Sequence, residues 1–176
     1  QMAYNISRFI EKELLQGTED KVAGLSTLTN VKNTASASAI TSNELIELQA
    51  KVKDVYQNNA IWVMSTATRT AIRELKDNYG RYLLQDDISL PFGHSLLGKP
   101  VYVSDNMPEI GAGNTAIYYG DMSGLATKFS EDINIQVLRE RFADSHAVGV
   151  ISWFEFDSKV ENAQKIAKLV CGTASV

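Results

Sequence analysis

Two histidines, His94 and His146, and one cysteine, Cys171, are the chain's whole supply of imidazole and thiol ligands. A zinc site needs three or four such groups converging on one point, so no metal centre is expected. One thiol also excludes an intramolecular disulfide. Cys171 has no His or Asp beside it and reads as a small, partly buried apolar residue. His94 falls in a Gly-Pro loop, where exposure is expected, and His146 falls in a turn between two strands. Two carboxylate pairs, Asp86-Asp87 and Glu155/Asp157, are of a type that serves glycoside hydrolysis or holds a cation. The first lies in a polar loop, and the second flanks Phe156 at a strand end, facing water or a partner. Gly111-Ala112-Gly113-Asn114-Thr115-Ala116 fits the loose G-x-G-x-x-G/A fingerprint. That fingerprint needs a strand before it and a helix after it. Ala116 to Tyr119 reads as a strand, so the run is a plain turn and no cofactor is expected. Asn5-Ile6-Ser7 fits a glycosylation triplet, with no secretory context to support it.

Arg69, Arg73 and Lys76 recur at steps of four and three, which places them on one helix face. The choice there is between a solvated face and a stripe that contacts another subunit. Trp62, Tyr118, Tyr119, Trp153, Phe154 and Phe156 are core residues by default. Large aromatics are also enriched at protein interfaces, which makes Trp153 a contact candidate. The net charge of -4 across 176 residues provides no broad basic surface for phosphates. No apolar run approaches the roughly 18 residues that cross a bilayer, and the first residues lack a signal-peptide layout.

The elements that would position these residues follow from periodicity. Met2, Ile6, Phe9, Ile10 and Leu14 share one helix face, with Gly17 as the stop. That helix begins without an N-cap, as expected of a fragment of a longer protein or, equally, of a chain whose N-terminal part is disordered or cleaved. Residues 17–40 have loop composition and read as a mobile connection. Thr41 or Ser42 caps a helix carrying Leu45, Leu48, Val52 and Val55, about four turns. Ala60 to Met64 is a strand, and Ser65 caps a helix from Thr66 to about Asp77. Residues 81–98, with Pro91, Gly93 and Gly98, should be irregular.

Val101 to Val103 and Ala116 to Tyr119 are strands flanking a turn-rich loop. Ile133, Ile135 and Val137 alternate with polar residues as a half-buried strand does. Ala147 to Phe156 is apolar on both faces and must be covered on both, by its own domain or another subunit. Ile166 to Val170 adds a last strand.

Four stretches, in order, carry a family resemblance. They are Phe9-Ile10-Glu11-Lys12-Glu13-Leu14-Leu15-Gln16-Gly17; Trp62-Val63-Met64-Ser65 through Leu75-Lys76-Asp77-Asn78-Tyr79-Gly80-Arg81-Tyr82; Leu97-Gly98-Lys99-Pro100-Val101 with Met107-Pro108; and Tyr119-Gly120-Asp121 with Arg139-Glu140-Arg141-Phe142-Ala143. Their order and spacing resemble the Hong Kong ninety-seven type of tailed-phage major capsid protein.

The resemblance implies an α+β fold of two lobes. An axial lobe, residues 41–130, would hold a mixed sheet with flanking helices. A peripheral lobe, residues 1–40 and 131–176, would hold a spine helix and long antiparallel strands. It also implies that the family's N-terminal arm and extended loop are absent from this stretch. The implied role is structural rather than enzymatic: a shell built of copies in pentamers and hexamers, enclosing DNA without sequence-specific binding, with no membrane. Portal and scaffold or protease partners follow by the same analogy, with synthesis in a bacterial cytoplasm and residence in the virion. The isolated stretch is expected to be a monomer or small oligomer. A nanocompartment shell of the encapsulin type shares the fold and is the nearest rival. A small hydrolase or ligand-binding α/β domain is the rival from another class. No crosslinking residue carries over: Asp144, His146 and Ser152 lie where an Asn partner would be sought.

Overall fold

A computed structural model describes residues 2–18, 21–76, 80–82, 84–86, 94–138 and 149–172. Helix α1 spans Met2–Gln16, and the N–H of Gly17 closes its last turn on the Glu13 carbonyl at 2.8 Å. A short 3-10 turn, Leu25–Thr27, and strand β1, Val31–Asn33, follow. The 17–40 stretch therefore contributes a strand that composition does not reveal. Three residues are too few for alternation to be legible, and β1 exists by parallel pairing with a strand at the far end of the chain.

Helix α2, Ser42–Ala50, starts at Thr41 with a complete capping box. The Thr41 hydroxyl accepts from the Glu44 N–H, and the Glu44 carboxylate accepts from the Thr41 N–H at 2.7 Å. The helix is shorter than its apolar spacing suggests. It ends at Ala50, and Val55, read as a core position, is 81% exposed in a 3-10 turn. Strand β2, Ile61–Met64, leads into α3, Thr66–Arg73, capped by the Ser65 hydroxyl. This helix also stops early. Lys76 lies beyond its end, in an isolated bridge with Tyr82, so the three basic residues do not share a helix face.

Short strands β3, Leu84–Asp86, and β4, His94–Leu96, occupy the stretch expected to be irregular. His94 is half-buried on β4 rather than in an exposed loop. Strands β5, Lys99–Val103, and β6, Thr115–Gly120, flank the turn-rich loop as expected. Strands β7, Leu125–Leu138, β8, Gly149–Val160, and β9, Ile166–Val170, complete the chain.

Seven strands form one mixed sheet in the order β1-β9-β6-β2-β5-β4-β3. Residues 31–33 and 166–170, from the two ends of the sequence, are hydrogen-bonded into it beside β6. Ala116 to Gly120 are all buried, so β6 is covered on both faces. Alternation sends Trp62, Met64, Ile117, Tyr119 and Leu169 to one side, where Leu45 and Leu48 of α2 and Ile72 of α3 cover them. It sends Tyr118 and Ile166 to the other, against Leu15, Leu25 and Leu28. Trp62 is fully buried and still satisfied, its indole N–H donating to the Leu96 carbonyl at 2.9 Å.

Gly120 ends β6 at φ 139°, and a Cβ there would sit 2.1 Å from the Lys165 carbonyl oxygen. Only glycine permits that approach. The remaining strands, β7 and β8, form a separate two-stranded ribbon running from Leu125↔Val160 to Leu138↔Gly149.

Candidate functional site

The chemical candidates among the described residues do not come together. His94 is on β4, and His146 lies outside the described residues. Cys171 is buried at 1% exposure at the end of β9, a free thiol in the main core. The Asp86 backbone belongs to β3, and Asp87 lies outside the described residues. Glu155 and Asp157 are exposed on one face of β8. Among the described residues no three His, Cys, Asp or Glu side chains gather as metal ligands. Gly111–Asn114 is a turn tied to Cys171: the Gly113 N–H donates to the Cys171 carbonyl, and the Cys171 N–H donates back to the Asn114 carbonyl. Strand β6 follows it directly, and a helix N-terminus to meet a phosphate is not formed there.

The perturbed titrations have structural causes. Burial pushes the Tyr118 hydroxyl up to about 12, and a hydrogen bond from Thr115 opposes it. Burial also raises Tyr119 and lowers Lys168, whose ammonium donates to the Ser26 carbonyl at 2.7 Å. Burial raises Glu44, but N–H donors from Ala35 and Thr41, the Thr41 hydroxyl and the Lys32 charge outweigh it, so the net shift is downward. These groups staple segments together and share no cavity.

What the fold does expose is apolar surface. The ribbon is attached at its base. Phe154 meets Phe9 of α1 edge to face at 6.1 Å, and the buried Ser158 hydroxyl accepts the Gly24 N–H at 3.1 Å. Gly24, at φ 54°, lets that segment pass within contact of α1, since a Cβ there would lie 2.6 Å from the Glu13 carbonyl. Away from the base the ribbon is open. Ile133, Ile135, Val137, Val150, Ile151 and Trp153 remain 39–55% exposed. The double-sided apolar pattern in the sequence is real, but this chain covers only the base of one face. Two register shifts, at Phe129/Glu131 and Glu131/Asn134, interrupt the ladder and increase its twist.

A second apolar feature is a groove of about 560 Å³ between α1 and the sheet, lined by Ile10, Leu14, Val63, Tyr102, Val103 and Leu125. Polar contacts fix α1 along it. Asn106 donates to the Arg8 carbonyl and the Glu11 carboxylate, and the Tyr118 hydroxyl donates to the Leu15 carbonyl at 2.8 Å. Ile10 and Leu14, placed by sequence on the apolar face of the helix, are half-buried on this groove. Of the basic residues, Arg69 is half-buried on α3, Arg73 is exposed at its end, and Lys76 sits 4.8 Å above the Tyr82 ring. Sequence reading missed the Glu131–Glu155 opposition on the ribbon, because only the register shift creates it.

The fold is thus a mixed sheet with an appended ribbon whose outer part this chain leaves uncovered. The sequence profile of the phage capsid family matches residues 1–171, and the chain belongs to that family. No curated protein sequence matches it.

Among solved structures, the capsid of a native GTA particle is 25% identical, with a TM-score of 0.78 over 98% of this chain and 63% of its own. A structure from Mycobacterium phage Bobi is 14% identical at TM-score 0.65, covering 97% of this chain and 62% of its own. The SrpI encapsulin complex of Synechococcus elongatus is 16% identical at TM-score 0.68, covering 96% and 62%. The latter two likenesses are of fold alone. The chain spans just under two thirds of the length of the solved structures it matches.

Proposed function

We propose that this chain is the larger part of the major capsid protein of a tailed phage or prophage, a structural protein that assembles into an icosahedral shell around a DNA genome. One observation carries the reading beyond family membership: away from its base the β7–β8 ribbon leaves six large apolar side chains half-exposed. A two-stranded ribbon is marginal in water by itself, and apolar surface of this extent marks a contact. Copies of the same chain, in pentamers and hexamers, are the partners that the family supplies. Portal and scaffold or protease follow as partners of assembly. The protein would be made in the bacterial cytoplasm and end in the virion.

The proposed division assigns residues 41–130 to an axial lobe and residues 1–40 with 131–176 to a peripheral lobe, the ribbon and α1 forming the latter's body. Strands β1 and β9 would tie the two lobes through the shared sheet. Arg69, Arg73, Lys76 and Trp153 are proposed contact residues. An encapsulin-type nanocompartment shell is the second reading, favoured by the structural likeness to the SrpI complex. Electron microscopy of the full-length gene product separates the outcomes. Regular shells are expected. Shells that co-purify with a protein cargo instead of nucleic acid select the second reading, and a protein that stays monomeric under all conditions refutes both.

A further inference from the structure

The two faces of the ribbon differ in chemistry. Ser152, Phe154, Phe156 and Ser158 alternate inward, toward α1 and Gly24, while Trp153, Glu155 and Asp157 alternate outward and are exposed. On the outer face Lys128 opposes Asp157, but Glu131 lies directly opposite Glu155, with Asn134 opposite Trp153 beside them. Like charges set opposite each other destabilise a strand pair. The register shifts on either side of Glu131 hold this arrangement in place. Neither glutamate forms an ion pair with a described residue. The register thus sets two like charges across from each other, an arrangement that would favour an incoming cation.

The same chain carries a matching cation. Segment 66–82 holds Arg69, Arg73, Lys76 and Arg81 against Glu74 and Asp77, a net +2 within a chain of net -4. Arg73, Lys76 and Arg81 are exposed, as is Tyr82 at 57%. The two patches do not meet within one molecule. Ile72 of α3 belongs to the core on one face of the sheet, whereas Leu125 and Val160 at the ribbon base pack with the core on the other.

We propose that the outer ribbon face of one copy, at Glu131, Glu155 and Trp153, receives the Arg73–Lys76 corner of a second copy. Two carboxylates at opposed positions of the ladder offer acceptors for a guanidinium. The neighbouring Trp153 ring, 39% exposed, gives a cation a π face. Donor and acceptor are different patches, so the contact is head-to-tail and propagates or closes into rings. The inference rests on the assembly reading above and names the surfaces that meet.

Charge exchange in the full-length gene product tests it. Three variants are compared with wild type by sedimentation velocity and electron microscopy: Arg73→Glu with Lys76→Glu, Glu131→Lys with Glu155→Lys, and all four together. Each reversal should raise the concentration needed for assembly about tenfold or more, and the fourfold exchange should return it to within about threefold of wild type, as coupled interfacial charges do. Indifference to reversal, or a fourfold variant no better than the worse parent, overturns the contact while the assembly reading stands. A wild type that never associates overturns both.

The near-isosteric Glu131→Gln, Glu155→Gln variant guards against misfolding. It should melt at or above the wild-type temperature, because repulsion is removed, yet assemble more weakly. A lower melting temperature refutes the repulsive pair, and unweakened assembly refutes the contact.

Discussion

Tyr118→Phe separates two contributions of one hydroxyl. Tyr118 is 2% exposed, and its O–H donates at 2.8 Å to the Leu15 carbonyl, one of the last four carbonyls of α1, which helices leave without an internal donor. The deletion leaves that carbonyl without its donor in a site where Leu15 itself is 9% exposed. A lost buried hydrogen bond with one partner left behind costs about 1–3 kcal/mol. Urea unfolding at pH 7 should show a loss in that range with an unchanged dependence on denaturant.

The same burial holds the hydroxyl near 12, against an ordinary value of 10.0. The folded state therefore keeps its proton where the unfolded chain has lost it. The stabilisation is fully present below pH 10 and disappears as pH rises from 10 toward 12. A shift of about two units corresponds to about 2–3 kcal/mol. In the Phe variant that alkaline loss should shrink by one proton's worth, so the two proteins converge in stability near pH 12. Parallel stability profiles from pH 8 to pH 11.5 would refute the assignment, since the hydroxyl would then be no more buried than in the unfolded chain.

Gly120→Ala should be the most damaging small substitution. Its Cβ would lie 2.1 Å from the Lys165 carbonyl at φ 139°, so a loss above about 3 kcal/mol, or recovery only as insoluble protein, is expected; a soluble variant melting within a few degrees of wild type would contradict the geometry. Glu44, whose carboxyl is held low by N–H donors from Ala35 and Thr41 at 2.7 Å each, contributes stability above its unfolded value that is lost as pH falls through its folded one. Glu44→Gln should cost about 1.5–3 kcal/mol at pH 7 and much less once the carboxyl is protonated; acid titration of unfolding compares the two. Ile135→Ser with Val137→Ser, on the open part of the ribbon, should change monomer stability by only about 1 kcal/mol while abolishing shell assembly, read by light scattering and microscopy. Retained assembly would remove the ribbon from the contact.

Legibility in the sequence followed the range of the interaction that decides each feature. The Thr41 and Ser65 caps, the Gly17 stop and the β5–β6 strands are fixed by neighbours in sequence, and all of them formed where patterning placed them. Helix lengths were overread. Leu75 and Val55 continue an apolar repeat past the last helical residue, because periodicity cannot tell a helix from the turn that follows it. Strand β1 and the Glu131–Glu155 opposition were invisible because each is created by a partner strand, through pairing in one case and a register shift in the other. Ile10 and Leu14 carried the right pattern for burial, yet they line an open groove. Pattern identifies a face that avoids water without naming what covers it.

The uncovered ribbon has an energetic scale that explains why such a surface suits a shell. Full burial of a large apolar side chain contributes about 1.5–3 kcal/mol, and Ile133, Ile135, Val137, Val150, Ile151 and Trp153 have each already gained about half of that in the folded chain. What remains is roughly 1 kcal/mol apiece, so covering all six yields about 6 kcal/mol. Bringing two molecules together costs an estimated 4–15 kcal/mol, so a single ribbon contact leaves little or no net affinity. Within a closed assembly the second and third contacts of each copy form at high effective concentration and escape most of that cost. The same six side chains are therefore too weak to commit one pair of chains and strong enough to hold a chain with several neighbours in place. A ribbon face with twice the apolar area would trap pairs early. Spread over both faces of the ribbon, these half-covered side chains would, in the proposed assembly, favour contacts that hold only when several neighbours are present.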